Sequence, residues 1–152
     1  MDQPPEWFWS VIERSKPSLK RLAEWLEAAP KEEVIRFAFL YELAAEEVAD
    51  FSSGPDVDGV QYSEDDTEDL CNWVVSQGSG LWRKAITQEI DLASLARLNE
   101  DSRRNESAEY QTWVVDVSDS AYDGYLAPHC LAHPIYRKRF GLSLLEELTN
   151  MN

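Results

Sequence analysis

A mainly α-helical fold, one compact bundle of about six to eight helices, is what this sequence predicts. Three observations carry that expectation. Apolar residues recur at i, i+3 and i+4 through most of the chain; Pro and small polar residues stand where helices start; and Asp or Glu crowds in just after those starts. The chain has 152 residues, 43% of them hydrophobic, with six Trp, six Tyr and five Phe. That suits one domain with a core and is too aromatic for a disordered chain. The expected domain covers 1–152, with a helical body over 5–98, a polar connection over 99–107 and a C-terminal section over 108–152.

Pro4, Pro5 and Glu6 suit a first helical turn, and Trp7, Phe8, Val11 and Ile12 gather on one face of a helix that ends before Pro17. Pro17 is read as opening the next helix, whose buried stripe is Leu19, Leu22, Ala23 and Leu26. Pro30 with Glu32 and Glu33 starts a third, in which VIRFAFLYELAAEEVADF is apolar on two stripes and so must be central. SSGPDVDG reads as a loop. Ser63 is an N-cap followed by Glu64, Asp65 and Asp66, with Leu70, Trp73 and Val74 turned inward. Gly78 or Gly80 ends that helix, another begins at Leu81 and Trp82, and Asp91 caps a short one carrying Leu92, Leu95 and Leu98. NEDSRRNES is polar and aperiodic, hence the connection over 99–107. At 111–117 the alternation of Trp113, Val115 and Val117 fits an extended segment, while Trp113, Val114, Val117 and Ala121 fit a helical stripe; helix is preferred. Ser143 after Gly141 caps a last helix through LLEEL.

These residues carry a resemblance. Phe8, Trp9 and Ile12 in an aromatic-rich helix start, the P-x-E-E-[IV] entry at Pro30 to Val34, and an S-[ED]-D block ending in W-[LIV]-[LIV]-x-x-G, present as Ser63 to Gly78, together resemble the bacterial family called domain of unknown function 4240, over residues 5–98. The chain departs from that pattern in having DVDGVQY before the block, where members carry a Gly-Ala-Ala-like helical stretch. The resemblance implies a mainly helical fold and supplies no catalytic residues.

The formal charge is −15, from 29 Asp and Glu against 14 Lys and Arg. Such a surface repels phosphate backbones and anionic membranes, so neither nucleic acid nor membrane is an expected partner. Two cysteines, Cys71 and Cys130, make no disulfide framework, MDQPPEWFW lacks the basic start and apolar run of a signal segment, and no stretch is apolar enough to span a bilayer; the expected location is the cytoplasm.

Gly54 to Leu70 holds seven carboxylates and no Lys or Arg, and Phe37 to Trp82 holds eleven Asp and Glu with no Lys or Arg. A calcium loop on DVDG fails its ligand pattern: with Gly59 at loop position 6, Gly54 falls where the first carboxylate is required. Asp65 with Asp69 and Glu64 with Glu68 share helix faces, yet general acid-base work needs one carboxyl buried and one solvated, and the apolar stripe lies elsewhere. His129, Cys130 and His133, with Cys71 as a fourth ligand, offer zinc donors without a C-x-x-C pair and between prolines 128 and 134. Tyr136 to Phe140 is basic with aromatic flanks and reads as a counterweight to the acidic field. No phosphate loop, nucleophile elbow or zincin motif occurs. No cofactor, metal or catalytic residue is therefore assigned.

What is left is docking. The expected function is an acidic protein-binding module, most concretely an immunity protein that neutralises a basic bacterial toxin encoded nearby, binding through Asp56, Asp58, Tyr62, Glu64, Asp65, Asp66, Glu68, Asp69 and Trp82. The alternatives are a small carboxylate- or metal-dependent enzyme and a regulatory or scaffold domain with another partner.

Overall fold

Cap chemistry sets the first helices. α1 (Glu6–Ser15) follows Pro5 and buries Phe8, Trp9, Val11 and Ile12. α2 (Leu19–Ala28) starts on Ser18, whose hydroxyl accepts the Arg21 N–H at 3.2 Å. Pro17 thus precedes this helix instead of opening it, because Ser18 supplies the acceptor that an orphan N–H of the first turn needs and a proline ring cannot. α3 (Lys31–Val48) buries Val34, Phe37, Ala38, Tyr41, Ala44 and Ala45 and leaves Glu42, Glu46 and Glu47 exposed. The computed structural model describes residues 3–151 and is mainly helical, as the sequence predicts, with eight α-helices among those residues. Packing divides it into two compact units, one built on Glu42–Thr112 and the other on Pro4–Tyr41 with the chain from Trp113 onward. We call them the central and the terminal unit.

In the central unit β1 (Asp56–Val57) pairs antiparallel with β2 (Val60–Gln61), Val57 opposite Val60. The two residues between them, Asp58 at φ 53° and Gly59 at φ 84°, are both left-handed, the turn whose twist matches a two-residue hairpin. The loop expected at SSGPDVDG therefore ends in a small hairpin, which Asp-Gly between two valines favours. Gly54 lies so close to the Thr67 hydroxyl and to the Tyr62 carbonyl, 2.7 Å from where a Cβ would stand, that no side chain fits there.

α4 (Glu64–Ser76) and α5 (Ser79–Ile86) are separated by Gly78 at φ 104°. α6 (Leu92–Arg104) is capped by Asp91, which accepts the Ser94 N–H at 2.8 Å. It runs through most of the expected 99–107 connection. Asn99 and Ser102 continue the stripe of Leu95 at one-turn spacing and are buried, and the Ser102 hydroxyl donates to the Asn99 carbonyl at 2.6 Å. A buried polar side chain satisfied inside its own helix does not stop it.

The chain then extends. Buried Gln77 clamps Gln111, donating to its carbonyl at 2.7 Å and accepting its N–H at 3.0 Å. In the terminal unit Val114 donates to the Pro17 carbonyl at 2.6 Å and accepts the Leu19 N–H at 3.2 Å, while Asp116 accepts the Ser18 hydroxyl at 2.6 Å and the Lys20 N–H at 2.8 Å. The helix preferred at 111–117 is thus corrected to an extended segment. Val114 is 53% exposed, so the helical stripe assumed there does not exist, and the backbone groups find partners on another segment instead. Beyond a 3-10 turn at Ser120–Tyr122 come α7 (Ala132–Phe140) and α8 (Leu144–Asn150). α7 was not anticipated, because Pro134 reads as a breaker; it lies in the first turn, where a missing N–H costs nothing. Gly141 at φ 67° closes α7 and Ser143 caps α8. The core of this unit is aromatic, with Phe8 at 5.2 Å from Phe37 and Trp25 at 5.4 Å from Phe37 between ring centroids. Among the described residues no helix is long and apolar enough to cross a membrane.

Candidate partner-binding face

Ser63 and Asp66 form a reciprocal capping box at the start of α4: the Ser63 hydroxyl accepts the Asp66 N–H at 3.0 Å and the Asp66 carboxylate accepts the Ser63 N–H at 3.3 Å. Asp66 is thereby committed to the helix as well as to the surface. Past the cap, Glu64, Asp65, Glu68 and Asp69 are exposed and alternate with the buried Thr67, Leu70 and Cys71. The Glu68 carboxyl is held above its ordinary range, first by partial desolvation and then by Asp69, Asp65 and Glu64. Glu42 of α3 is raised in the same way, by desolvation and then by Glu46 and Glu68. The acidic face of α4 therefore continues onto α3. Glu42 and Glu46 were missing from the sequence-derived site, although the basic-free run from Phe37 to Trp82 includes them.

The hairpin adds Asp56 and Asp58. Asp56 accepts the Gly59 N–H at 3.0 Å, closing its own turn, and Asp58 projects into solvent with Arg97 at 3.8 Å. Both members of that pair are well exposed, so their attraction stabilises little. Tyr62 is half-buried and donates its hydroxyl to Glu100 at 3.1 Å; burial and then that carboxylate push its phenol pKa up.

Trp82 is a correction. It is 1% exposed and donates its indole N–H to the Ala44 carbonyl at 2.9 Å, so it belongs to the core and offers no anchor to a partner. The spacing of Leu81, Trp82 and Ala85 put it on the apolar stripe of α5, and a tryptophan there goes inward because it brings the largest apolar area.

The other chemical candidates fall apart locally. His129 packs on the Tyr41 ring with centroids 6.4 Å apart, His133 stacks on Tyr125 at 6.4 Å, and the Cys130 thiol lies 3.7 Å from the Ala127 carbonyl. Cys71 belongs to the central unit, where burial and then Glu68 push its thiol up to about 12, leaving it an inert core side chain. Among the described residues no three His, Cys, Asp or Glu side chains converge as a metal site would require. In the Tyr136 to Phe140 cluster Lys138 pairs with Asp119 at 3.0 Å and Arg139 donates to the carbonyls of Leu26 and Ala29 at 2.6 Å each. No protein-family model, no curated protein and no solved structure matches the chain.

Proposed function

We propose that this chain is an acidic protein-binding module and, in its most concrete form, a cytoplasmic immunity protein of the 4240 family that neutralises a basic toxin domain by covering it. One observation carries the reading: six exposed carboxylates, Glu42 and Glu46 on α3 with Glu64, Asp65, Glu68 and Asp69 on α4, form a continuous field in which partial burial and then the neighbouring carboxylates raise the pKa values of Glu42 and Glu68. Like charges at one-turn spacing destabilise a helix, and a cationic surface laid on them relieves that repulsion. The capping box uses only Asp66, and the ion pair of Asp58 is weak, so most of the charge has no structural use within the unit.

The partner's basic residues would meet the α3–α4 face, with the hairpin at Asp56 and Asp58 as its rim. Rim charges set the association rate more than the affinity, which suits an inhibitor that must reach its toxin first. The test is direct mixing with the product of the adjacent gene. The association rate should fall at least about tenfold for a variant with Glu64→Gln, Asp65→Asn, Glu68→Gln and Asp69→Asn together, and fall steeply as salt rises. A rate untouched by both treatments would end this reading.

A further inference from the structure

The terminal unit contains a cavity of about 650 Å³ that none of the acidic chemistry explains. One helix face makes most of it: Cys130 just before α7, then His133, Pro134, Arg137 and Lys138, spaced so that they line up above one another. The opposite stripe of α7, with Ile135 and Tyr136, is buried in the core, which fixes this face outward. Ser143, Leu144, Leu145 and Tyr125 complete its lining.

Its chemistry is two-sided. Tyr125, 43% exposed, lies nearly parallel to His133, with 26° between the planes, and Leu145 of the same lining is 62% exposed. A flat ring and an aliphatic side chain left open to water around one concavity are suited to an apolar body. The same lining includes Arg137 and Lys138, both exposed, the ammonium of Lys138 paired with Asp119 at 3.0 Å, together with Ser143. In a chain of net charge −15 this is a local concentration of positive charge set beside apolar surface.

We infer that this cavity is a binding site for a small organic anion, a flat aromatic body carrying a carboxylate or phosphate group, with the ring against Tyr125 and Leu145 and the anion on Arg137. Arg137 is the discriminating residue because its planar fork can hold two oxygens at once, whereas Lys138 is already engaged. The acidic surface elsewhere repels such ligands, so occupancy should be confined to this one place. The site is independent of the docking face, and either can fail without the other.

The probes are 1-naphthoate, 1-naphthyl phosphate and the neutral 1-naphthylmethanol, titrated into isotopically labelled protein and followed by NMR. Saturable shifts at Tyr125, His133, Arg137 and Leu145 with at least one of the two anions are expected, the tighter one naming the head group. The neutral analogue should bind at least about tenfold more weakly. Arg137→Gln should weaken the anion at least about tenfold and leave the neutral probe unchanged, and Tyr125→Ala should weaken both. Both side chains are exposed, so the variants fold, and their unperturbed spectra are the check. No saturable binding of either anion, equal binding of the neutral probe, or shifts centred elsewhere would each overturn the assignment.

Discussion

The indole N–H of Trp82 donates to the backbone carbonyl of Ala44 at 2.9 Å inside the core of the central unit. This single bond ties α5 to α3 and explains why a tryptophan beside an acidic run is not available for docking. Trp82→Phe keeps most of the apolar volume and removes the donor, so it should cost about 1–2 kcal/mol, read from the urea midpoint. Trp82→Ala should cost about 3–5 kcal/mol through the cavity it leaves. The folded Trp82→Phe protein should bind a basic partner as tightly as the parent does. A large loss of affinity in that folded variant would return Trp82 to the interface.

The α3–α4 carboxylates set a pH dependence with a definite sign. Glu42 and Glu68 have folded pKa values above the ordinary 4.5. The folded state therefore holds their protons more firmly than the unfolded chain does, a contribution complete below 4.5 and lost as pH rises through the raised values. Glu68→Gln should accordingly stabilise the protein near neutral pH by about 0.2–0.5 kcal/mol for each like-charge pair relieved. Solvent screening keeps that figure small, high salt should erase it, and it should vanish in acid. Thermal melts of the variant across pH and salt check all three.

At Gly54 the space for a side chain is already taken by the Thr67 hydroxyl and the Tyr62 carbonyl. Gly54→Ala should cost about 1–3 kcal/mol, because backbone and a hydrogen-bonded hydroxyl must both move. The hairpin hangs from this contact, so hydrogen exchange at Val57 and Val60 should quicken in the variant more than at Leu95. Uniform quickening would place the damage elsewhere.

Arg139 donates to the carbonyls of Leu26 and Ala29 at the end of α2, where helix carbonyls otherwise lack partners. Hydrogen bonds from a charged donor contribute about 1.5–3 kcal/mol, so Arg139→Met should lower stability by roughly that amount. Arg139→Lys should recover only part of that, since both bonds come from one nitrogen, Nη1, which the shorter lysine stem reaches less well, and the planar guanidinium's contact with the Phe140 ring at 4.6 Å is lost. Equilibrium unfolding of the three proteins measures the order.

Helix existence was legible wherever a cap and a stripe coincided. Ser63, Asp91 and Ser143 mark their helices in the sequence and cap them in the structure. Position 134 shows the limit: proline stops a helix interior and is tolerated in its first turn, and only the observed start at Ala132 says which applies. Asn99 and Ser102 show another, since their polarity suggests a loop while their spacing and burial belong to α6.

The acidic site divides in the same way. That Glu64, Asp65, Glu68 and Asp69 share a helix surface follows from a period of 3.6 residues, a local property that any reading of the sequence contains. That Glu68 stands near enough to raise Glu42 of α3, that Trp82 is folded away against Ala44, and that Gln77 holds Gln111 extended are pairings across 26, 38 and 34 positions, respectively. The sequence by itself determined the helical class, the caps at Ser63, Asp91 and Ser143 and the sign of the charge, because neighbours along the chain suffice for those. Tertiary structure alone decided which acids meet, which tryptophan is lost to the core and where a cavity opens beside Arg137, because each depends on residues that only packing brings together.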